Sequence, residues 1–338
     1  MTRTAVVILN YNGRDWLKKF LPSVIQHRDD ARIIVADNNS TDDSRDILTR
    51  EFPDAEQILI SQNLGFCGGY NFALKQVDAD YYVLLNSDVE VTPGWLEPMI
   101  SLLEQDATIA AVQPKVLSYY HKDSFEYAGA AGGFIDALGY PFCRGRIFNA
   151  IEKDKGQYDD TIPVFWATGA CLVVRSELYK RMGGLDEDFF AHMEEIDLCW
   201  KLNRAGYAMY YQGQSTVYHV GGGTLAALDP RKTYLNFRNG LTLVLRHLST
   251  TELVYKLPLR MTLDWIAALK FLADGSASNA RAVLKAHADF IKHFRKEVRK
   301  RKALQKELPG FRAAWIYPRL LIFDFYLRGK KFFSELHF

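Results

Sequence analysis

The sequence predicts an α/β protein: a mostly parallel central sheet flanked by helices, followed by a C-terminal helical extension. Three observations carry this expectation. Short β-branched runs alternate with helical stretches from residue 4 onward, the pattern of a parallel sheet covered on both faces. Polar residues stand at the ends of those runs, where open parallel sheets bind ligands. The 338 residues exceed the ~250–300 at which a single core stops growing, so a domain over 1–248 and an extension over 249–338 fit the length.

Composition narrows the class. With 48% hydrophobic and 24% charged residues the chain reads as globular rather than disordered. Cys67, Cys143, Cys171 and Cys199 show no CxxC spacing, which excludes a zinc ribbon and a disulfide framework and makes a reducing compartment the default. The apolar run near the N-terminus is too short for an export signal. Glu252, Lys256, Arg260, Asp264 and Lys270 interrupt the most apolar late stretch, so no membrane-spanning helix is expected and a cytoplasmic location is.

Taken in order, residues 4–10 (TAVVILN) read as a strand that runs through Asn10 into a loop at Tyr11, Asn12 and Gly13, with a helix over 15–26. Residues 32–36 form a second strand ending at Asp37. A strand-end carboxylate there can accept hydrogen bonds from a pyrimidine ring or a ribose hydroxyl. Asn39, Ser40 and Thr41 are open between ligand contact and Asx-turn or cap chemistry. Residues 57–60 precede NLGFCGGYNFAL, where glycines with Asn63, Gly68 and Asn71 suit a close backbone approach and a helix start. That run has neither a Walker ending nor GxGxxG, which argues against an NTPase and a dehydrogenase. Residues 81–85 deliver Asn86 and Asp88 beyond a fourth strand, and Pro93 reads as the opening of the next helix. Residues 114–163 read as loops with a hairpin over the site, in which Tyr127, Phe134, Tyr140 and Phe142 are acceptor contacts or a satellite core. Residues 165–179 read as a strand.

Residues 183–223 gather carboxylates, His192, His219 and a glycine cluster. Glu194 and Glu195 open a helical pattern in which Met193, Ile196, Cys199, Trp200 and Leu202 bury one face, and Gly206 closes it. Consecutive helical residues point about 100° apart, so the two acids cannot face solvent alike. They are either solvated acids favoured by the helix dipole or a pair in which one is a general base. Glu195 and Asp197 flank Ile196, and residues 207–211 return as a strand toward His219, so these acids and His219 are expected to share one site.

The run GGLDEDFFAHMEEIDLCWKLNRAGY resembles the catalytic-base segment of inverting family 2 glycosyltransferases with the GT-A (nucleotide-diphospho-sugar transferase) fold, particularly bacterial rhamnosyltransferase-like members. The resemblance extends over about residues 4–248. It implies a base at the second acid, Glu195, where the family more often has Asp, with Glu194 as the alternative. It makes Asp37 the holder of the nucleotide base, among donor-side residues Asn10, Asn12, Asn39, Asn63, Gly68, Asn71 and Asn86. Trp166 and Gly169 are expected at the sugar pocket. Arg238, beside Tyr234 and Asn239, meets the diphosphate or lies on a solvated face. Asp88 and His219 are the expected ligands of Mn2+ or Mg2+, with a structural role for His219 left open; Asn86 departs from the family's Asp-x-Asp. The implied donor is a nucleoside-diphosphate sugar of dTDP-rhamnose or UDP-hexose type; a lipid-linked glycan of cell-surface polysaccharide is the expected acceptor because it would explain an interfacial C-terminus. A nucleotidyltransferase would need a glycine-rich basic loop after the first strand, which NYNGRDW does not supply. A noncatalytic nucleotide-sugar-binding subunit of the same fold is the alternative.

Residues 281–306 hold ten Lys or Arg against Asp289 and Glu297, a net +8 in a chain of net +2. Val283, Leu284, Phe290, Ile291, Phe294 and Val298 recur there at helical spacing, so the segment reads as a basic amphipathic helix. The aromatic run FRAAWIYPRLLIFDFYLRGKKFF follows. Two readings stand: peripheral attachment to the inner leaflet of a membrane, or a helix pair packed on the domain. No nucleic-acid recognition fold accompanies the charge, so nucleic acid is not an expected partner.

Overall fold

The structure, a computed structural model, describes residues 3–127, 129–221, 229–310 and 313–338. Gly222 and Gly223 of the expected glycine cluster lie outside the described residues. The chain opens with β1 (Thr4–Asn10), α1 (Arg14–Gln26), β2 (Arg32–Asp37), α2 (Ser44–Glu51), β3 (Glu56–Leu59), α3 (Gly65–Leu74) and β4 (Tyr81–Asn86). TAVVILN is apolar on both faces, and β1 is buried almost throughout, as a strand covered on both sides must be. β2 and β4 flank it in parallel, with Asn10 opposite Asp37 and Leu9 opposite Asn86. That register sets three polar strand ends on one edge.

Next come β5 (Val89–Val91), α4 (Glu97–Gln105), β6 (Ile109–Ser118), and four short strands, β7 (Gly133–Asp136), β8 (Pro141–Cys143), β9 (Arg146–Ile147) and β10 (Ala150–Ile151). They are followed by β11 (Thr161–Val164), β12 (Cys171–Arg175), α5 (Ser176–Arg181), α6 (Glu194–Arg204) and β13 (Ala208–His219). The main sheet has the order β11-β13-β6-β12-β4-β1-β2-β3, with β5 on β13. It is mixed: the half built on β1 is parallel, but β12 enters antiparallel between β4 and β6, and β13 pairs antiparallel with β5 and β11. β13 bulges where it meets Pro114 of β6, Gln212 pairing with Pro114 and Thr216 with Lys115. Proline has no N–H for the ladder, so the partner strand leaves register there.

Two local expectations are corrected. Pro93 lies in a turn and α4 begins at Glu97, with Pro98 in its first turn. Residues 165–179 are not one strand, because β12 covers only Cys171–Arg175 and α5 starts at Ser176.

α7 (Pro230–His247) precedes the extension, whose α8 (Thr250–Ala273) and α9 (Ala277–Glu307) pack on it. α9 buries Val283, Ala286 and Phe290. After it, β14 (Ile316–Tyr317) joins β7 in parallel and α10 (Leu321–Tyr326) closes the short second sheet. Phe134 and Phe142 are buried there against the tail, with ring centroids 5.1 Å from Phe333 and 6.0 Å from Tyr317. Both rings belong to the main hydrophobic core rather than to a satellite one. Tyr317, Leu321 and Phe325 of the tail are buried, while Trp315, Phe323, Tyr326 and Leu327 stay exposed. Among the described residues no helix is long and apolar enough to cross a membrane.

Candidate active site

The polar edge of the sheet gathers the site. Asp37 is fully buried at the end of β2, and its carboxylate accepts from Arg45 Nε at 2.6 Å, Ser40 N at 3.0 Å and Asn10 Nδ2 at 3.1 Å. Burial alone raises a carboxyl pKa; here the hydrogen bonds from Ser40, Arg45 and Asn10 outweigh it and hold Asp37 below its ordinary value. Asn12 turns the chain at φ 51° and its Oδ1 accepts from Thr41 N at 2.7 Å. Asn39, at φ 63°, and Asn63 lie in the adjoining loops; Asn63 Oδ1 accepts from Asn38 Nδ2 at 3.1 Å and Gly65 N at 2.9 Å.

Because β13 pairs with β5, His219 lies opposite Val89 and next to Asp88. Its Nε2 is 3.2 Å from Asp88 Oδ1 and 3.5 Å from Asn86 Nδ2, and its Nδ1 is 3.4 Å from Glu126 Oε2. Burial pulls this imidazole toward neutrality, but Asp88 and Glu126 raise its pKa and hold it as a cation, so a metal ion bound at Nε2 would have to displace the proton there. Two cis ligands of an octahedral divalent ion, each at ~2.1 Å, stand about 3 Å apart, so Asp88 and His219 have the bite to hold one. Glu126 meets the opposite ring nitrogen, where a carboxylate fixes the tautomer and orientation of a ligating histidine. Among the described residues no group of three or more His, Cys, Asp or Glu side chains is gathered to hold an ion. The pair thus suits an ion completed by ligand oxygens and water.

The acid pair is delivered by a tight loop. Phe190, His192 and Met193 all have left-handed φ, at 67°, 67° and 73°, a conformation that costs about 1–3 kcal/mol per residue unless neighbours enforce it. The enforcement comes from α7. Asn239 Nδ2 donates to the carbonyls of Phe189, Ala191 and His192 at 3.1, 3.0 and 2.7 Å, and Arg238 donates to those of Asp188 and Phe189 at 2.9 Å each. α6 then begins at Glu194 and buries Ile196, Cys199, Trp200 and Leu202; Ala205 caps it and Gly206 follows at φ 91°.

Of the two acids, Glu194 is buried and Glu195 half-buried. Burial, with the charge of Glu195 beside it, raises Glu194 well above its ordinary pKa. Burial also lifts Glu195 to about 7, against the opposing pull of the backbone N–H groups of the first helical turn. A Cβ added to Gly169 would stand 3.9 Å from the Glu195 side chain, and the next carbonyl, of Ala170, accepts from Asn86 N at 3.0 Å. Glu195, Gly169, Asn86, Asp88 and His219 are therefore contiguous.

The chain has relatives among known proteins. The sequence pattern described as glycosyl transferase family 2 matches residues 5–183. The chain belongs to glycosyl transferase family 2. The N-acetylglucosaminyl-diphospho-decaprenol L-rhamnosyltransferase of Mycobacterium tuberculosis is 26% identical over 233 residues, 63% of this chain and 75% of the relative. The rhamnosyltransferase WbbL of Escherichia coli K12 is 27% identical over 220 residues, covering 61% and 79%. Among solved structures, S. aureus TarS 1–349 with UDP-GlcNAc superposes with TM-score 0.57 at 14% identity, covering 86% of this chain and 81% of that one. GalNAc-T7 with UDP, GalNAc and Mn2+ gives 0.56 at 14%, covering 91% of this chain but 58% of that one. These likenesses establish the GT-A fold, and the chain is a glycosyltransferase.

Several of the expected site residues are engaged in contacts within the protein. Asn71 donates to Leu185 O at 2.7 Å and Glu187 Oε1 at 3.3 Å, and accepts from Tyr179 Oη at 2.8 Å and Leu185 N at 3.0 Å. Its amide is spent within the protein, so it is a brace rather than a donor contact. Asn10 is fully buried beneath Asp37 and Ser40, to which it donates. Trp166 is buried and gives its indole N–H to Phe134 O at 2.9 Å, so it supports the short sheet instead of lining a sugar pocket. Gly68 is buried in α3, where an added Cβ would meet Leu64 Cβ at 3.0 Å; it serves packing. Asp197 is also removed from the chemistry: fully buried, it pairs with Lys201 at 2.7 Å and His247 at 2.9 Å, which hold it ionised far below its ordinary range. Sequence reasoning missed Arg45, Glu126 and the clamp made by Asn239. An arginine one helical turn into the segment after Asp37 was a readable signal. Glu126 had none, because its neighbours follow no period.

Proposed function

We propose that this glycosyltransferase moves a sugar from a nucleoside-diphosphate sugar, of dTDP-rhamnose or UDP-hexose type, to a hydroxyl of a lipid-linked glycan with inversion, in the synthesis of cell-surface polysaccharide. The observation that carries the reading is Glu195, half-buried at the helix start, beside Gly169, with its pKa lifted to about 7. A base titrating near neutrality accepts a proton most effectively at working pH. Glu194 is raised as well, by its burial and by the charge of Glu195 beside it.

In the step proposed, the acceptor oxygen attacks the anomeric carbon as Glu195 takes its proton, and the bond from that carbon to the diphosphate oxygen breaks with its electron pair leaving on the diphosphate. Asp37 and the loops bearing Asn12, Asn39 and Asn63 would receive the nucleoside. Asp88 and His219 would hold a divalent cation, Mn2+ or Mg2+, which when bound neutralises charge on the departing diphosphate. Two relatives named as rhamnosyltransferases, one of them for a decaprenyl-diphosphate-linked sugar, support the donor and acceptor classes.

A peripheral position on the cytoplasmic face of a membrane belongs to the same proposal. Its support is the outer face of α8, where Val254, Tyr255, Leu259, Trp265, Ile266, Leu269 and Leu272 are all exposed. Exposed apolar stripes of this length mark interaction surfaces. Ile291 and Leu284 lie one turn either side of His287, which accepts from Trp265 Nε1 at 3.0 Å, so they extend the stripe onto α9. Lys292, Arg295, Arg299 and Lys302 stand beyond them, exposed, the arrangement an anionic leaflet attracts.

The test is release of nucleoside diphosphate from a panel of UDP, dTDP and GDP sugars with a lipid-linked acceptor present, with Mn2+ or with chelator. Turnover of one donor supports the reading. Nucleotide binding without turnover in the complete mixture favours a noncatalytic subunit.

A further inference from the structure

A groove of about 590 Å³ opens between the N-terminal parts of α7 and α9, lined by Arg231, Tyr234, Arg238, Arg281 and Lys285 together with Phe190. No acidic residue lines it among the described residues. The neighbouring small cavity shows the contrast. There Lys296 pairs with Asp188 at 2.6 Å and Arg246 with Glu297 at 2.6 Å, so its charges are balanced. In the groove, Arg231 stacks 4.9 Å above Phe190, Lys285 sits 5.2 Å from the Tyr234 ring, and Arg238 is turned to backbone carbonyls. None of these three, nor Arg281, has a carboxylate within ion-pair distance among the described residues. Asp289, the acid beside them, accepts from Tyr234 Oη at 2.8 Å and pairs with none of the four cations; cations held together without a paired carboxylate repel one another, and an anion that takes several hydrogen bonds at once relieves them. The positive ends of two helices, α7 and α9, point the same way.

The position of the groove fixes what the anion is attached to. Phe190, four residues before Glu194, lines it, and the edge of that ring lies by Gly65 at the start of α3, where an added Cβ would come within 2.9 Å of it. Phe190 thus touches both the loop that opens α3 and the groove. The outer end, at Arg281 and Lys285, lies on the exposed face of α9 that also carries Leu284.

We propose that this groove binds the diphosphate of the acceptor, with the attached glycan directed inward past Phe190 toward Glu195 and the lipid chain outward along the α8–α9 surface. The proposal rests on the glycosyl-transfer reading above. The same chemistry exists in the donor, whose diphosphate is the other source of such an anion.

The test uses the full chain and two probes. Inorganic pyrophosphate is titrated calorimetrically into wild type, Arg281→Ala/Lys285→Ala and Arg281→Lys/Lys285→Arg. The double alanine is expected to bind about ten-fold or more weakly, and the charge-preserving pair to recover most of the affinity. Equal affinity in wild type and double alanine overturns the proposal. Transfer to a short-chain lipid-diphosphate-linked sugar is then followed in the same proteins. A comparable rise in KM for that acceptor supports the assignment; a rise in KM for the nucleotide sugar in its place gives the groove to the donor and overturns it. Wild type that discriminates pyrophosphate through Arg281 and Lys285 yet transfers nothing keeps the anion site and refutes the transferase substrates proposed above.

Discussion

The side-chain amide of Asn239 lies 2.7 Å from the carbonyl of His192 and donates to it, holding a left-handed residue two positions before the acid pair. The same amide reaches Phe189 and Ala191. Replacing Asn239 by Ala strands carbonyls in a buried place, at about 1–3 kcal/mol of stability, and releases a strained loop. The expected outcome is a fall in kcat of about ten-fold or more with KM for the donor little changed, because geometry at the base is lost and donor contacts are not. Steady-state kinetics and denaturant unfolding of Asn239→Ala check both; a variant with wild-type kcat removes the clamp from the account.

That clamp shows where sequence reading stopped. The strand ends were legible, since β-branched runs closing on Asn10, Asp37 and Asn86 fix both the sheet and its polar edge, and the acid pair was legible from its place at a helix start. Which polar residues face the ligand was not. Asn71, Trp166 and Asn10 look like binding residues in a string of letters, but their partners, Leu185, Phe134 and Asp37, come from tertiary contacts up to 114 residues away. The basic segment 281–306 was legible as a helix. That its lysines would serve partly as struts, Lys300 reaching Asp186 at 2.8 Å, depends on the packing of α9 against α7.

The pH dependence follows from Glu195, which burial lifts to about 7. A base works deprotonated, so log kcat/KM is expected to rise with unit slope as pH approaches 7 and to level above it. The stability sign is opposite: a carboxyl with a raised folded pKa favours the fold while protonated, and that contribution is lost as pH rises through about 7. Glu195→Gln should therefore gain stability over wild type at pH 8 relative to pH 5, read by thermal unfolding at the two values. A flat rate profile, or no pH dependence of the stability difference, contradicts the assignment.

Metal dependence is checked by chelation. Turnover is expected to fall with EDTA and to return more fully with Mn2+ than with Mg2+, because an imidazole ligand suits Mn2+ better. Asp88→Asn should respond weakly to added metal. Unimpaired turnover in excess chelator rules out the proposed role of Asp88 and His219.

The apolar face of α8 predicts vesicle binding. Trp265 emission should shift to the blue on addition of phosphatidylglycerol vesicles, and Ile266→Glu/Leu269→Glu should reduce partitioning by about ten-fold or more, since each side chain gains ~1.5–3 kcal/mol on burial. A double variant that sediments with vesicles as wild type does would move the attachment elsewhere.

The most direct test compares Glu195→Gln with Glu194→Gln in glycosyl transfer at pH 7.5 with saturating donor. Glu194 is buried while Glu195 is the half-buried acid beside Gly169, and Gln reproduces the shape of Glu, so Glu194→Gln should retain activity within a few-fold. Glu195→Gln should lose about 10²-fold or more in kcat while still binding the donor. Equal losses, or the larger loss at Glu194, would contradict the assignment of Glu195 as the base.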